Sequence, residues 1–68
     1  MIKLTDTNGR VFIGPDTATI ISRHHGSTAR YIDCNAPHRG LIGLIVRRSH
    51  TIGQAPRVVS RVASLEVI

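Results

Sequence analysis

Apolar and polar residues alternate at the start of the chain, with Ile2 and Leu4 on one side and Lys3 and Thr5 on the other. That period of two predicts a half-buried strand. Asp6-Thr7-Asn8-Gly9 follows, and Asn-Gly is a strong hairpin signal because both central residues of a type I′ turn need positive φ. Arg10 to Ile13 reads as the returning strand, Val11 and Ile13 sharing a face. Gly14-Pro15-Asp16 ends it, since Pro fixes φ and lacks an N–H while Asp caps a turn through its side chain. Thr17 to Ser22, centred on Ile20-Ile21, reads as a third strand leading into the loop Arg23-His24-His25-Gly26-Ser27. Thr28 to Cys34 alternates again, Ala29, Tyr31 and Asp33 against Arg30, Ile32 and Cys34. Neither set is wholly apolar, which predicts a strand with one face incompletely buried.

Asn35 to Gly40, punctuated by Pro37 and Gly40, reads as a loop. Leu41-Ile42-Gly43-Leu44-Ile45-Val46 is the longest unbroken apolar run. Its β-branched content predicts the central strand of a sheet, buried on both faces. Ser49 to Gln54 holds no clear element, and Gly53 argues against a continuous one. Ala55-Pro56 reads as a helix start, with Val58, Val62 and Leu65 falling at i, i+4 and i+7 through about Leu65. Val is a mediocre helix former, however, and Leu65 to Ile68 also reads as an edge strand. The pattern predicts one mostly-β (α+β) domain over residues 1–68. It would be a small antiparallel sheet or SH3-like barrel of four or five strands, with a C-terminal helix packed on one face.

Size constrains what such a domain can do. A chain of 68 residues buries only about 60% of the surface it exposes when unfolded. With one Phe, one Tyr and no Trp, the core must come from Ile, Val and Leu. Domains this small usually add disulfides, a metal or a partner subunit. The single Cys34 excludes an internal disulfide and suggests a reducing compartment, so a homodimer is an expectation. Met1-Ile2-Lys3-Leu4 lacks the apolar core of a secretory signal, and no apolar run approaches the ~20 residues of a membrane-spanning helix. A cytoplasmic, soluble protein is expected.

Charge narrows the partner. Nine Lys and Arg, eight of them Arg, against four Asp and Glu give +5 at pH 7. Arg makes planar bidentate contacts to phosphate, so the balance suits RNA, DNA or another acidic partner. Arg23, Arg30, Arg39, Arg47 and Arg48 all fall near strand ends or in loops. If the sheet brings His24 and His25 to the same edge as Arg47 and Arg48, they make a phosphate-facing strip, which Arg10 joins depending on the twist. Phe12 and Tyr31 are too few for an aromatic stacking platform.

No residue pattern points to a reaction or a cofactor. Cys34 and His38 are four apart, a spacing seen in zinc sites, but a zinc module normally shows paired ligands. Cys34, His24, His25, His38 and His50 are therefore read as a small buried thiol and solvated loop histidines. Cys34 beside Asp33 and a histidine would need a cleft to act as a nucleophile. An aromatic-poor β domain leaves little room for one of about 300 Å³. Gly40-Leu41-Ile42-Gly43 lacks the Lys and Ser/Thr of a phosphate loop.

Two family likenesses rest on turn chemistry. Met1-Ile2-Lys3-Leu4-Thr5-x-x-Asn8-Gly9, with Ile13-x-Pro15-Asp16, Val46-Arg47-Arg48-Ser49 and the later Val58, Val59 and Val62, resembles the FlbD-like small proteins of bacteria and phages over about half the chain. That resemblance implies a small, strongly bent sheet with a C-terminal helix and an adaptor or regulatory role. The middle, from about Arg23 to Gly40, is longer than in that family, and Arg48 stands where it tends to have an acid. Leu4-Thr5, Gly9, Ile13-Gly14-x-Asp16 and Asn35-Ala36-Pro37 are similar to the carbon-storage-regulator (CsrA-type) translational repressors. This second likeness implies a dimeric RNA-binding β protein, with Arg47 or Arg48 as an RNA-contacting arginine. Asp6 departs from it, standing where that family has a basic residue. Together these features point to a non-enzymatic small regulator of phage or bacterial type, binding RNA or DNA through Arg47, Arg48, Arg23, His24, His25 and Arg10. The alternative is a protein-interaction module, an adaptor or a phage inhibitor of a host protein.

Overall fold

The computed structural model describes residues 1–38 and 40–68, and of residues 35–38 the backbone alone. The chain forms β1 (Ile2–Asp6), β2 (Val11–Gly14), α1 (Thr17–His25), β3 (Ala29–His38), β4 (Leu41–Arg47) and β5 (Arg57–Val67). All five strands join one antiparallel sheet in the order β2-β1-β5-β4-β3. The mostly-β class with a single helix therefore stands, as an open sheet with β2 and β3 at its edges.

The opening hairpin forms where the alternation places it, but its turn is longer than a two-residue type I′. Asp6 N–H donates to Arg10 O at 3.0 Å and Gly9 N–H to Asp6 O at 3.1 Å. Three residues thus link the strands, and Gly9 closes the loop at φ 87°, the left-handed position that such a loop requires. Asp6 is only 6% exposed, and its Oδ1 accepts from the N–H groups of Asn8 and Arg10, each at 2.9 Å. A carboxylate on these two backbone donors organises the whole turn.

The helix is not C-terminal. It begins at Thr17, in the stretch whose apolar centre reads as a strand. Asp16 is its N-cap, with Oδ1 accepting from Thr19 N–H at 2.7 Å, and this satisfies one of the donors that a helix start leaves free. Ile20 and Ile21, adjacent in sequence, are both buried against the sheet. Gly14 allows Ile20 to come this close, since a Cβ there would lie 2.6 Å from Ile20 Cγ1. Gly26 (φ 96°) ends the helix, its N–H bonded to Ser22 O at 3.1 Å. His24 and His25 thus lie on the last helical turn instead of in a loop.

The C-terminal segment is a strand of eleven residues, and it is the middle one. Val58, Val59, Val62 and Val67 suit a pleated surface, and the strand pairs with β4 along its first half, Arg57 to Val62, and with β1 along its second, Val62 to Val67, which outweighs the i, i+4 pattern. Leu41–Arg47 is an interior strand, but it lies one place from the centre, which β5 takes in place of the apolar run expected there. β3 extends through residues 35–38, so the segment read as a loop continues the strand, and Arg39 lies outside the described residues. Leu4, Ile20, Ile21, Ile45 and Val62 make the core, with Phe12, Tyr31 and Leu65 among the side chains packed against it. No helix among the described residues is long and apolar enough to cross a membrane.

Candidate nucleic-acid interface

One row of cross-strand partners divides the molecule. Asp6 pairs with Val62, Val62 with Gly43, and Gly43 with Asp33. β1 ends at this row, whereas β4 runs on four residues to Arg47 and β5 approaches it from Arg57. Antiparallel pairing makes the β1–β2 turn, the end of β4, the start of β5 and the start of β3 all lie beyond the row. The last turn of α1 joins them, because an Arg47 guanidinium nitrogen donates to His25 O at 2.7 Å.

Beyond the row stand Arg10, Arg23, Arg30, Arg47, Arg48, Arg57 and Arg61, seven of the eight arginines of the chain. No carboxylate lies beyond it. Asp6 and Asp33 sit on the row, Asp16 caps the far end of the helix, and Glu66 is paired opposite Lys3. Asp6 is turned inward on its two N–H donors. The fold thus converts a modest net charge into a strongly one-sided distribution.

The six residues singled out from the sequence all fall within this end, in different roles. Arg48 is exposed and faces adjoining depressions. Arg10 and Arg23 are exposed on the turn and on the helix. Arg47 also serves the fold, satisfying the terminal carbonyl of α1, where a cation complements the negative end of the helix dipole. His24 and His25 are not free imidazoles. The His24 ring lies 4.5 Å from that of Phe12 at 49°, and the His25 ring lies 6.5 Å from it at 67°. Burial holds the His25 pKa below its ordinary value, helped by neighbouring His24 and Arg47 and opposed by Asp6. At neutral pH His25 is therefore a neutral donor or acceptor, not an added charge.

Sequence reasoning missed Arg57 and Arg61, because it placed both on a helix. The signal that finds them is the β-branched content around them, which argues for a strand and so puts Arg57 directly opposite Arg47. The loop between β4 and β5 is held by its own polar groups. Thr51 N–H donates to Ser49 Oγ at 3.1 Å and Gln54 N–H to Thr51 O at 3.3 Å, with Gly53 at φ 87°.

The depressions here are larger than composition suggests. One of 430 Å³ is lined by Thr28, Arg30, Val46, Arg48 and Pro56, and neighbours of 530 and 410 Å³ adjoin it along the 48–57 segment. Each is open to solvent, and none of them is lined by Cys34. Among the described residues no three His, Cys, Asp or Glu side chains converge as metal ligands. Cys34 is a half-buried free thiol, and the side chain of His38 lies outside the described residues. No family model, curated protein or solved structure matches the chain.

Proposed function

We propose that the protein binds RNA or DNA through its arginine end, as a non-enzymatic regulator. The observation that carries this reading is the placement of seven arginines beyond the Asp6–Val62–Gly43–Asp33 row, with every carboxylate on the row or behind it. Guanidinium groups gathered at one end of a molecule measuring 39 × 26 × 19 Å are the planar donors that phosphate oxygens accept from in pairs. Binding of that kind releases counterions and weakens steeply with salt.

The test is fluorescence anisotropy with labelled RNA and DNA over a salt series. The expected result is a linear fall of log affinity with log salt, whose slope drops by about one for each arginine–phosphate contact removed. Arg48→Glu with Arg57→Glu is the informative pair, because Arg47→Glu would also release the helix terminus. Affinity independent of salt, or unchanged in the double variant, overturns the reading.

A second reading, a protein-interaction module, draws on a different observation. The sheet face away from α1 carries Val11, Ile13, Ile32 and Val58 at 42–49% exposure. A partner recovered after nuclease treatment, and lost when Ile32 and Val58 become Ser, would favour it.

A further inference from the structure

A duplex and a single strand would meet the arginine end differently, and its shape bears on which of them fits. Strand pairing puts Arg30, Val46 and Val58 in one row across the helix-free face. By alternation Thr28, Arg48 and Pro56 lie on that same face one step further out. These residues, Val58 apart, line the 430 Å³ depression, whose floor is Val46, only 8% exposed. Arg48 N–H bonds to Thr28 O at 3.5 Å and holds its two sides together. An apolar floor, two exposed guanidiniums and a hydroxyl make a seat for a flat heterocycle with a phosphate attached. Guanidinium planes stack on bases where aromatic rings are lacking, and here Phe12 is taken up by His24 and Tyr31 by the core.

Two features turn this toward unpaired bases. Three depressions of 430, 530 and 410 Å³ adjoin one another and share Arg48, so successive bases of one strand find successive seats. In a duplex the base faces are stacked on one another and reach none of them. The one helix among the described residues has nine residues and lies against the sheet with Ile20 and Ile21 buried. It presents its C-terminal end here, and so offers no recognition helix to a major groove.

We propose that the arginine end is a single-strand site, and that the depression over Val46 seats one unstacked base beside Arg30 and Arg48. The proposal rests on the nucleic-acid reading and is tested separately from it. Anisotropy at one salt concentration would compare a labelled oligonucleotide alone with the same strand annealed to its complement, for the native protein and for Arg30→Lys with Arg48→Lys. Lysine keeps the charge and removes the planar stacking surface. The expected result is a preference for the single strand of about tenfold or more, lost in the lysine variant. Equal affinity for both forms, tighter duplex binding, or a preference intact in the lysine variant overturns the base seat and leaves the phosphate-binding reading standing. No binding to either form overturns both. Both arginines are exposed, and a thermal melt matching the native one confirms that the variant is folded.

Discussion

At the scale of single residues, two polar side chains and a glycine fix geometry that no apolar contact supplies. Asp6 accepts two backbone N–H groups from a nearly buried position. Asp6→Ala leaves both donors without their partner, an expected loss of about 1–3 kcal/mol. Asp6→Asn keeps an acceptor oxygen and should cost much less, so denaturant melts of the two variants separate hydrogen bonding from charge. Gly43 is the second point, because a Cβ there would meet the Tyr31 ring. Gly43→Ala forces that ring out of its place against the core, with an expected cost of about 1–3 kcal/mol. Tyr31 itself reports on the fold. Burial pushes its pKa up to about 12 from 10.0, helped by hydrogen bonding with Asp33 and by the charges of Asp33 and Cys34. It is the only tyrosine, so ultraviolet titration reads it alone, and the midpoint should fall to the ordinary value in denaturant. Because the folded pKa is raised, this contribution to stability is complete below pH 10 and is lost as pH rises toward 12. A midpoint near 10 in the folded protein would mean that the ring is solvated.

At the scale of elements, legibility followed how local the deciding interaction is. The first hairpin was readable because alternation and an Asn-Gly turn sit side by side in ten residues. The α1 and β5 assignments failed for opposite reasons. Thr17 to Ser22 has a strand-like composition, and one hydrogen bond donated by Thr19 N–H to the Asp16 cap, together with Gly14 making room for Ile20, tips it into a helix. Arg57 to Val67 has helical spacing, and pairing with β4 and with β1, the latter distant in sequence, overrides it. The cap is directly testable. Backbone and side-chain bonds from Thr19 hold the Asp16 pKa below 3.8, so its contribution is present above that pH and fades as pH falls through the lowered value. Asp16→Ala should lower the melting temperature at pH 7 and leave the native and variant melts converging at acid pH. His25 acts in the same direction from a higher range. Its depressed pKa means that acidification below 6.5 favours the unfolded state, which takes up the proton more readily. A melting temperature unchanged in Asp16→Ala at neutral pH would show that α1 is held by Ile20 and Ile21 alone.

At the scale of the whole molecule, the candidate site was half legible. Arg47 and Arg48 beside a strand end were readable as basic. That they meet Arg10, Arg23, Arg30, Arg57 and Arg61 depends on strand order, which no local pattern encodes. The same clustering has a cost for stability. Seven guanidiniums beyond one row, with no carboxylate among them, repel one another over a range that dissolved salt shortens. The screening length falls from about 30 Å at 0.01 M salt to about 8 Å at 0.15 M. Raising sodium chloride over that range should therefore raise the melting temperature, on the order of 4 °C or about 1 kcal/mol for a domain of this size. If the folded arginine end takes up phosphate groups as proposed, inorganic polyphosphate should raise it further at equal ionic strength. Arg48→Glu should melt higher than the native protein at low salt and show a flatter salt response, while binding nucleic acid less well. That inverse relation between stability and binding is what a functional charge cluster produces and a scattered basic surface does not. A melting temperature indifferent to salt, with Arg48→Glu no more stable, would mean that the arginines do not act on one another, and the one-sided charge would lose its physical meaning.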